Sequence, residues 1–166
     1  MFKKLTIVLS LAGVVLASAS AFAAIEKHRF EVSVTVPTLA FYVLPADPDW
    51  IHREQRLPWN LVTSTLGSLR KSFDVKNEAG PIEARLEGRP YLSNGIAADD
   101  IALRVMFNGR VLNELEPSEV VSLDDAALGK RVLLEIVPVP PLDGAYKPGN
   151  YFGSVNMMFN AVLPET

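Results

Sequence analysis

The sequence contains no cysteine. Disulfide staples are therefore excluded, and so are thiolate-ligated zinc and iron–sulfur sites. It has only two histidines, His28 and His52, so a histidine-rich metal centre has almost no ligands to draw on. Positive charge is also scarce: 16 Lys+Arg face 19 Asp+Glu, the wrong balance for a dedicated nucleic-acid binder. Three sequence motifs are missing as well. There is no G-x-S-x-G nucleophile elbow, no phosphate-binding P-loop and no G-x-G-x-x-G dinucleotide turn. Disorder is excluded from the opposite direction, because 49% of the residues are hydrophobic and only 21% are charged.

That apolar content is uneven. Phe2-Lys3-Lys4 is a short basic start, Leu5 to Leu16 (LTIVLSLAGVVL) carries no charge, and Ala17 to Ala24 (ASASAFAA) is built of small residues. Basic, apolar and small-residue segments in that order predict a secretory signal peptide, cut after Ala23, with Ala21 and Ala23 at the small positions. The apolar run is too short for a membrane span, which needs about 20 residues. Of the 166 residues, loss of the first 23 leaves 143. Loss of Lys3 and Lys4 leaves 14 basic against 19 acidic residues, a net charge of −5. That length is one domain.

The remaining chain reads as mostly β. In HRFEVSVTVP, Phe30, Val32, Val34 and Val36 alternate with Glu31, Ser33 and Thr35, the period of a strand with one apolar face. Leu39 to Leu44 is a second apolar run. Residues 45–67 hold Pro45, Pro48, Pro58, Trp50 and Trp59 and predict an ordered loop or short edge strands. Strands are expected at Ser68 to Lys76, Ile82 to Leu86 and Lys130 to Val139, with a turn at Asn77 to Pro81. Asn108-Gly109, flanked by IALRVMF and RVLNEL, predicts a hairpin with a type I′ turn. Glu116 to Leu128 reads as a weak helix or bridging loop. Asn150 to Leu163 is expected as a last strand, with Tyr151, Gly153, Val155, Met157, Phe159 and Ala161 on one face. Many short strands with turn signals between them predict an all-β, immunoglobulin-like antiparallel sandwich.

Little in the chain suggests catalysis. Asp99-Asp100 and Asp124-Asp125 are adjacent carboxylate pairs beside loop signals, which suits solvated turns or helix caps. Trp50 and Trp59 either stack on a sugar ring or anchor their loop on the sandwich. The alternating strand at 30–36 is either the first strand of the sandwich or a strand donated to a neighbouring subunit, the mode by which pilins complement one another.

Three stretches carry a family resemblance. They are Ile25-Glu26-Lys27 leading into FEVSVTVP, then DIALRVMFNGRVLN with EPSEVVSLDDAAL, and the ending KPGNYFGSVNMMFNAVL with Gly149-Asn150-Tyr151, Gly153 and Val155. In that order the chain resembles the major fimbrial subunits of the alternate chaperone–usher (class 5) pathway, of the colonisation-factor and cable-pilus type. Two features depart from the pattern: an extra residue between Lys27 and Phe30, and the 45–60 loop with its tryptophans, His52 and several arginines.

The resemblance implies a sandwich lacking its last strand, completed by donor-strand complementation. Residues 1–23 would be the leader, 24–37 the donor strand and 38–166 the pilin domain. Phe30, Val32, Val34 and Val36 would insert into the next subunit, whose groove would be flanked by its first strand and by Tyr151, Gly153, Val155, Met157 and Phe159. The implied partners are copies of the same chain in a head-to-tail polymer, a periplasmic chaperone, an outer-membrane usher and a tip adhesin. No cofactor and no nucleic acid are implied, and the product would be a cell-surface fimbria supporting adhesion, reached through the periplasm. The alternative is a small exported carbohydrate-binding module using Trp50 and Trp59; an exported enzyme has no catalytic constellation behind it. Helical pilins of the type IV kind are excluded, because polar alternation begins within a few residues of the cleavage site. The exported chain is expected to begin at Ala24, which intact-mass measurement of secreted protein checks; a product retaining Met1 would refute processing.

Overall fold

A computed structural model of the chain describes residues 40–142 and 144–163. The donor-strand segment 24–37 expected from the sequence lies outside these residues. In chain order the elements are β1 (Phe41–Pro45), β2 (Trp59–Asn60), β3 (Thr65–Leu66), β4 (Leu69–Asn77), β5 (Ile82–Leu86), β6 (Tyr91–Leu92), β7 (Ile101–Phe107), β8 (Arg110–Val111) and β9 (Ser118–Val121). A short helix, α1 (Leu123–Leu128), then leads to β10 (Lys130–Pro138) and β11 (Met157–Ala161).

Alternation decides which strands lie centrally. In β7, Ile101, Leu103, Val105 and Phe107 are buried while Arg104 is exposed; in β5, Ile82, Ala84 and Leu86 are buried. Side chains two residues apart share a face, so both strands present a continuous apolar row inward. One sheet runs β1-β4-β10-β7-β6, with β8 also on β7; a second runs β11-β5-β9. All these pairings are antiparallel, and inward residues of both sheets form a single core. This is the antiparallel sandwich expected from the sequence.

The turn after β4 joins the two sheets and is clasped by Asn77, which is only 1% exposed. Its Nδ2 donates to Pro81 O (3.0 Å), and its Oδ1 accepts from Ala79 N (3.2 Å). A buried amide with partners on both of its ends carries no desolvation penalty for an unmade bond. The type I′ turn is present as expected: Asn108 and Gly109 have φ of 50° and 76°. Asn108 also donates from Nδ2 to Val120 O at 2.6 Å, tying the turn to β9.

Three expectations are corrected. The second arm of the hairpin is not RVLNEL but only β8. After it Leu112 turns into the core, and Asn113 O accepts from Leu86 N (2.8 Å) of the other sheet. Asn113 Oδ1 then caps the N–H groups of Leu115 and Glu116. Second, residues 116–128 contain strand β9 as well as helix α1. A register shift opposite Ile82 and Glu83 leaves the consecutive residues Val120 and Val121 both buried, which erases the alternation that would have marked a strand. Third, the last strand is short: only Met157–Ala161 is strand, and Ala161 is exposed.

The outer face of the large sheet carries two cross-strand ion pairs between register partners. Arg131 donates twice to Asp74 (2.7 and 2.8 Å), and Arg70 pairs with Glu135 (2.6 Å). The hydrogen bond from Arg131 holds the Asp74 carboxyl below its ordinary range. A carboxylate with a lowered folded-state pKa stabilises the fold at every pH above its unfolded value, about 3.9, and loses that contribution as pH falls through the lower folded value. The pair is exposed, so the effect is small. Asp74→Asn should lower the melting temperature slightly near neutral pH, with the difference from wild type closing in acid, below the ordinary carboxylate range. A difference that persists in acid would assign the effect to something other than this charge pair.

Candidate functional site: an open edge between two strands

Strands β1 and β11 are edge strands of the two sheets and both end at one corner. β1 pairs with β4, from Phe41↔Asn77 to Pro45↔Phe73, so it leaves the Asn77–Pro81 corner. β11 pairs with β5, from Met157↔Leu86 to Ala161↔Ile82, so it arrives at that same corner. Two backbone bonds fasten both ends there: Glu78 N to Ala40 O (2.8 Å) and Val162 N to Pro81 O (3.1 Å). β4 and β5 are consecutive across the corner, so β1 and β11, laddered on them, both end there.

Among the described residues each of these strands has a ladder partner on one side only. Their burial shows the consequence. Val75, Ile82, Ala84, Val105 and Phe107 are 0% exposed, whereas neither β1 nor β11 contains one fully buried residue. Phe41 and Val43 on β1, with Met157 and Phe159 on β11, pack on the core but stay half-buried. Core side chains with free backbone donors and acceptors beside them are what a strand-shaped partner recognises.

A row of rings crosses the interior behind this edge. Trp50 meets Phe73 edge-on (5.8 Å), Phe73 meets Phe107 (5.5 Å), and Phe107 meets Phe159 (4.9 Å). Such geometries suit the ring quadrupoles. Trp50 is thus the loop anchor weighed in the sequence and packs inward. Trp59 is different: 45% exposed, it meets Tyr146 edge-on at 5.6 Å.

The residues expected along the C-terminal side of the groove separate into two groups. Val155, Met157 and Phe159 pack against the core at the open edge. Tyr151 and Gly153 sit elsewhere, beside the 91–96 segment. Tyr151 Oη donates to Lys147 O (3.0 Å) and accepts from Asn94 Nδ2 (3.3 Å). Phe152 and Ser93 exchange two backbone bonds of 2.9 Å. Sequence reading singled out the C-terminal face and passed over Phe41 and Val43 on the opposite wall, although their spacing within FYVLP carries the strand period.

The carboxylate pairs do structural work. Asp99 accepts from Asn94 Nδ2 (3.1 Å), and Asp125 accepts from Lys130 (2.7 Å). Among the described residues no group of three His, Cys, Asp or Glu side chains is arranged to hold a metal ion.

Comparison with known proteins gives one family and one fold. The family model described as CS1 type fimbrial major subunit matches residues 26–160. Among solved structures, the CooA pilin subunit from enterotoxigenic Escherichia coli is similar with a TM-score of 0.61 and 17% identity, over 73% of this chain and 86% of that one. At that identity the likeness is one of fold. No curated protein sequence matches.

Gly153 offers a direct check on the 150–156 segment. A Cβ there would run into the carbonyl oxygen of Tyr91, a backbone atom that cannot swing away. Gly153→Ala is expected to cost about 1–3 kcal/mol, the usual range for overpacking, and to speed proteolytic cleavage of this segment. Ser154→Ala, at an exposed neighbour, should do neither. An unchanged melting temperature for Gly153→Ala would show that the segment does not lie against Tyr91.

Proposed function

The chain belongs to the CS1-type fimbrial major subunit family, and from that premise we propose that it polymerises by donor-strand exchange, each subunit's residues 24–37 filling the open edge of the next. It is a structural subunit and not an enzyme. The observation that carries the reading is that β1 and β11 end at one corner as edge strands of the two sheets, both with half-buried core residues and, among the described residues, one-sided ladders. The same chain supplies a segment of matching chemistry, Phe30, Val32, Val34 and Val36 in alternation.

In this reading residues 1–23 direct export and 38–166 form the acceptor domain. The wall of the acceptor includes Val155, Met157 and Phe159 on one side and Phe41 and Val43 on the other. Tyr151 and Gly153 brace the approach to β11. Full burial of one Val or Phe side chain contributes about 1.5–3 kcal/mol, so four contribute roughly 6–12 kcal/mol before ordering costs. The contact is head-to-tail and does not close on itself, so it propagates a filament. An unfilled edge exposes both apolar side chains and free ladder groups, so a periplasmic chaperone holds the subunit until an outer-membrane usher exchanges it for the next copy. The resulting surface fimbria supports adhesion, with a tip adhesin at its end. The carbohydrate-binding alternative retains only Trp59 with Tyr146, since the Trp50 ring is engaged with Phe73.

Val34→Asp tests the insertion. A carboxylate in a dry groove is costly, and loss of the valine's burial alone removes about 1.5 kcal/mol or more. Fibres should dissociate at lower temperature in detergent, and chaperone-bound subunit should accumulate. Deletion of residues 24–37 should leave a subunit that binds chaperone and cannot enter its neighbour. Normal fibres from the deletion would overturn the donor role.

A further inference from the structure

The open edge has a definite length, and its two ends differ. At the corner both walls are tied to the 78–81 turn by the Ala40–Glu78 and Pro81–Val162 backbone bonds. At the other end the β1 ladder finishes with Ala46 N donating to Ser72 O (2.9 Å), and the chain enters a single helical turn, Pro48–Trp50. That turn is firmly built. Asp47 Oδ1 caps Asp49 N (3.0 Å), and Trp50 O accepts from both Arg53 N and Gln55 Nε2 (3.0 Å each). It delivers the Trp50 ring edge-on to Phe73, the residue paired with the last residue of β1. Lys71, two residues before Phe73 on β4, holds its ammonium 5.2 Å from the Trp50 ring centre. Lys71 thus shares the inward-facing alternation of Leu69, Phe73 and Val75, and a cation–π contact accommodates its charge there.

We propose that Trp50, seated on Phe73 and held by Lys71, is the end stop of the acceptor groove and sets the register at which an inserted strand comes to rest. This rests on the donor-strand reading above. The lengths argue for it. β1 spans four residue steps, about 13 Å, whereas Phe30 to Val36 spans six steps, about 20 Å. A donor that inserts all four apolar side chains therefore overruns β1 by about two residues. At the corner both walls are tied into the 78–81 turn, so the proposed overrun falls at the Trp50 end, whichever way the donor runs. One terminal donor side chain, Phe30 or Val36, then rests on the tryptophan. Strand registers with one polar face slip in steps of two residues, because a shift of one would turn every apolar side chain outward. A fixed aromatic wall at one end removes the two-residue slip that alternation alone permits.

A chain without cysteine allows register to be read by disulfide trapping with no background. In the full chain, one of Phe30→Cys, Val32→Cys, Val34→Cys or Val36→Cys is combined with Ala46→Cys beside the stop, or with Val43→Cys within the groove. Assembled fibres are then oxidised. With Trp50 in place, Ala46→Cys should trap one terminal donor position and leave the others largely free. Trp50→Ala should spread trapping over positions two residues apart. Trp50→Phe keeps a ring edge on Phe73 with a shorter reach; it should give an intermediate spread and serves if Trp50→Ala does not assemble. An unchanged trapping pattern in a Trp50 variant that assembles overturns the end stop and leaves strand exchange standing. Fibres in which no donor position is trapped by either acceptor cysteine overturn strand exchange itself, and the end stop with it.

Discussion

Every strand in a sandwich must satisfy two demands, a ladder partner along each backbone edge and cover for its apolar face. In this molecule the inner strands β4, β5, β7 and β10 meet both, and their inward residues are almost wholly buried. β1 and β11 meet neither in full. Their backbones are paired on one side among the described residues, and Phe41, Val43, Met157 and Phe159 stay half-buried. The corner at Asn77–Pro81 gathers the ends of both strands, and the proposed acceptor groove joins the two shortfalls in one site. Exposed edges of this kind invite pairing with another chain, and the proposed strand exchange would use that pairing for assembly.

The absence of cysteine gains meaning in this setting. A small exported domain with no disulfide depends on its packing and on its partners. Here the packing includes a buried amide clasp at Asn77 and a row of four rings from Trp50 to Phe159. Both reinforce the region behind the open margin. A rigid wall favours tight strand binding, because little of the binding free energy is then spent on ordering the acceptor.

Legibility from sequence followed the strand period. Where one face is buried and the other solvated, as in β5 and β7, side-chain chemistry alternates, and the strand can be read directly. The Asn108-Gly109 turn was equally legible, because few residue pairs adopt left-handed φ twice in succession. The period failed at β9, where a register shift buries two adjacent valines, and after β8, where Leu112 and Asn113 cross to the other sheet. It overreached at the C-terminus. Tyr151 and Gly153 match the alternation of Val155, Met157 and Phe159, but Phe152 pairs with Ser93, and strand β11 begins only at Met157.

By itself, then, the sequence determined the class of the fold and supplied the two apolar alternations on which the proposed strand exchange rests, because those depend on local chemistry repeated at a fixed spacing. Only the tertiary structure decided that β1 and β11 are edge strands ending at one corner, and that Trp50 packs on Phe73 opposite the last residue of β1. Those facts depend on which strands pair and where the chain crosses between sheets. They come from contacts between residues far apart along the chain, such as Trp50 with Phe73 and Gly80's neighbour Pro81 with Val162, and no local pattern encodes them.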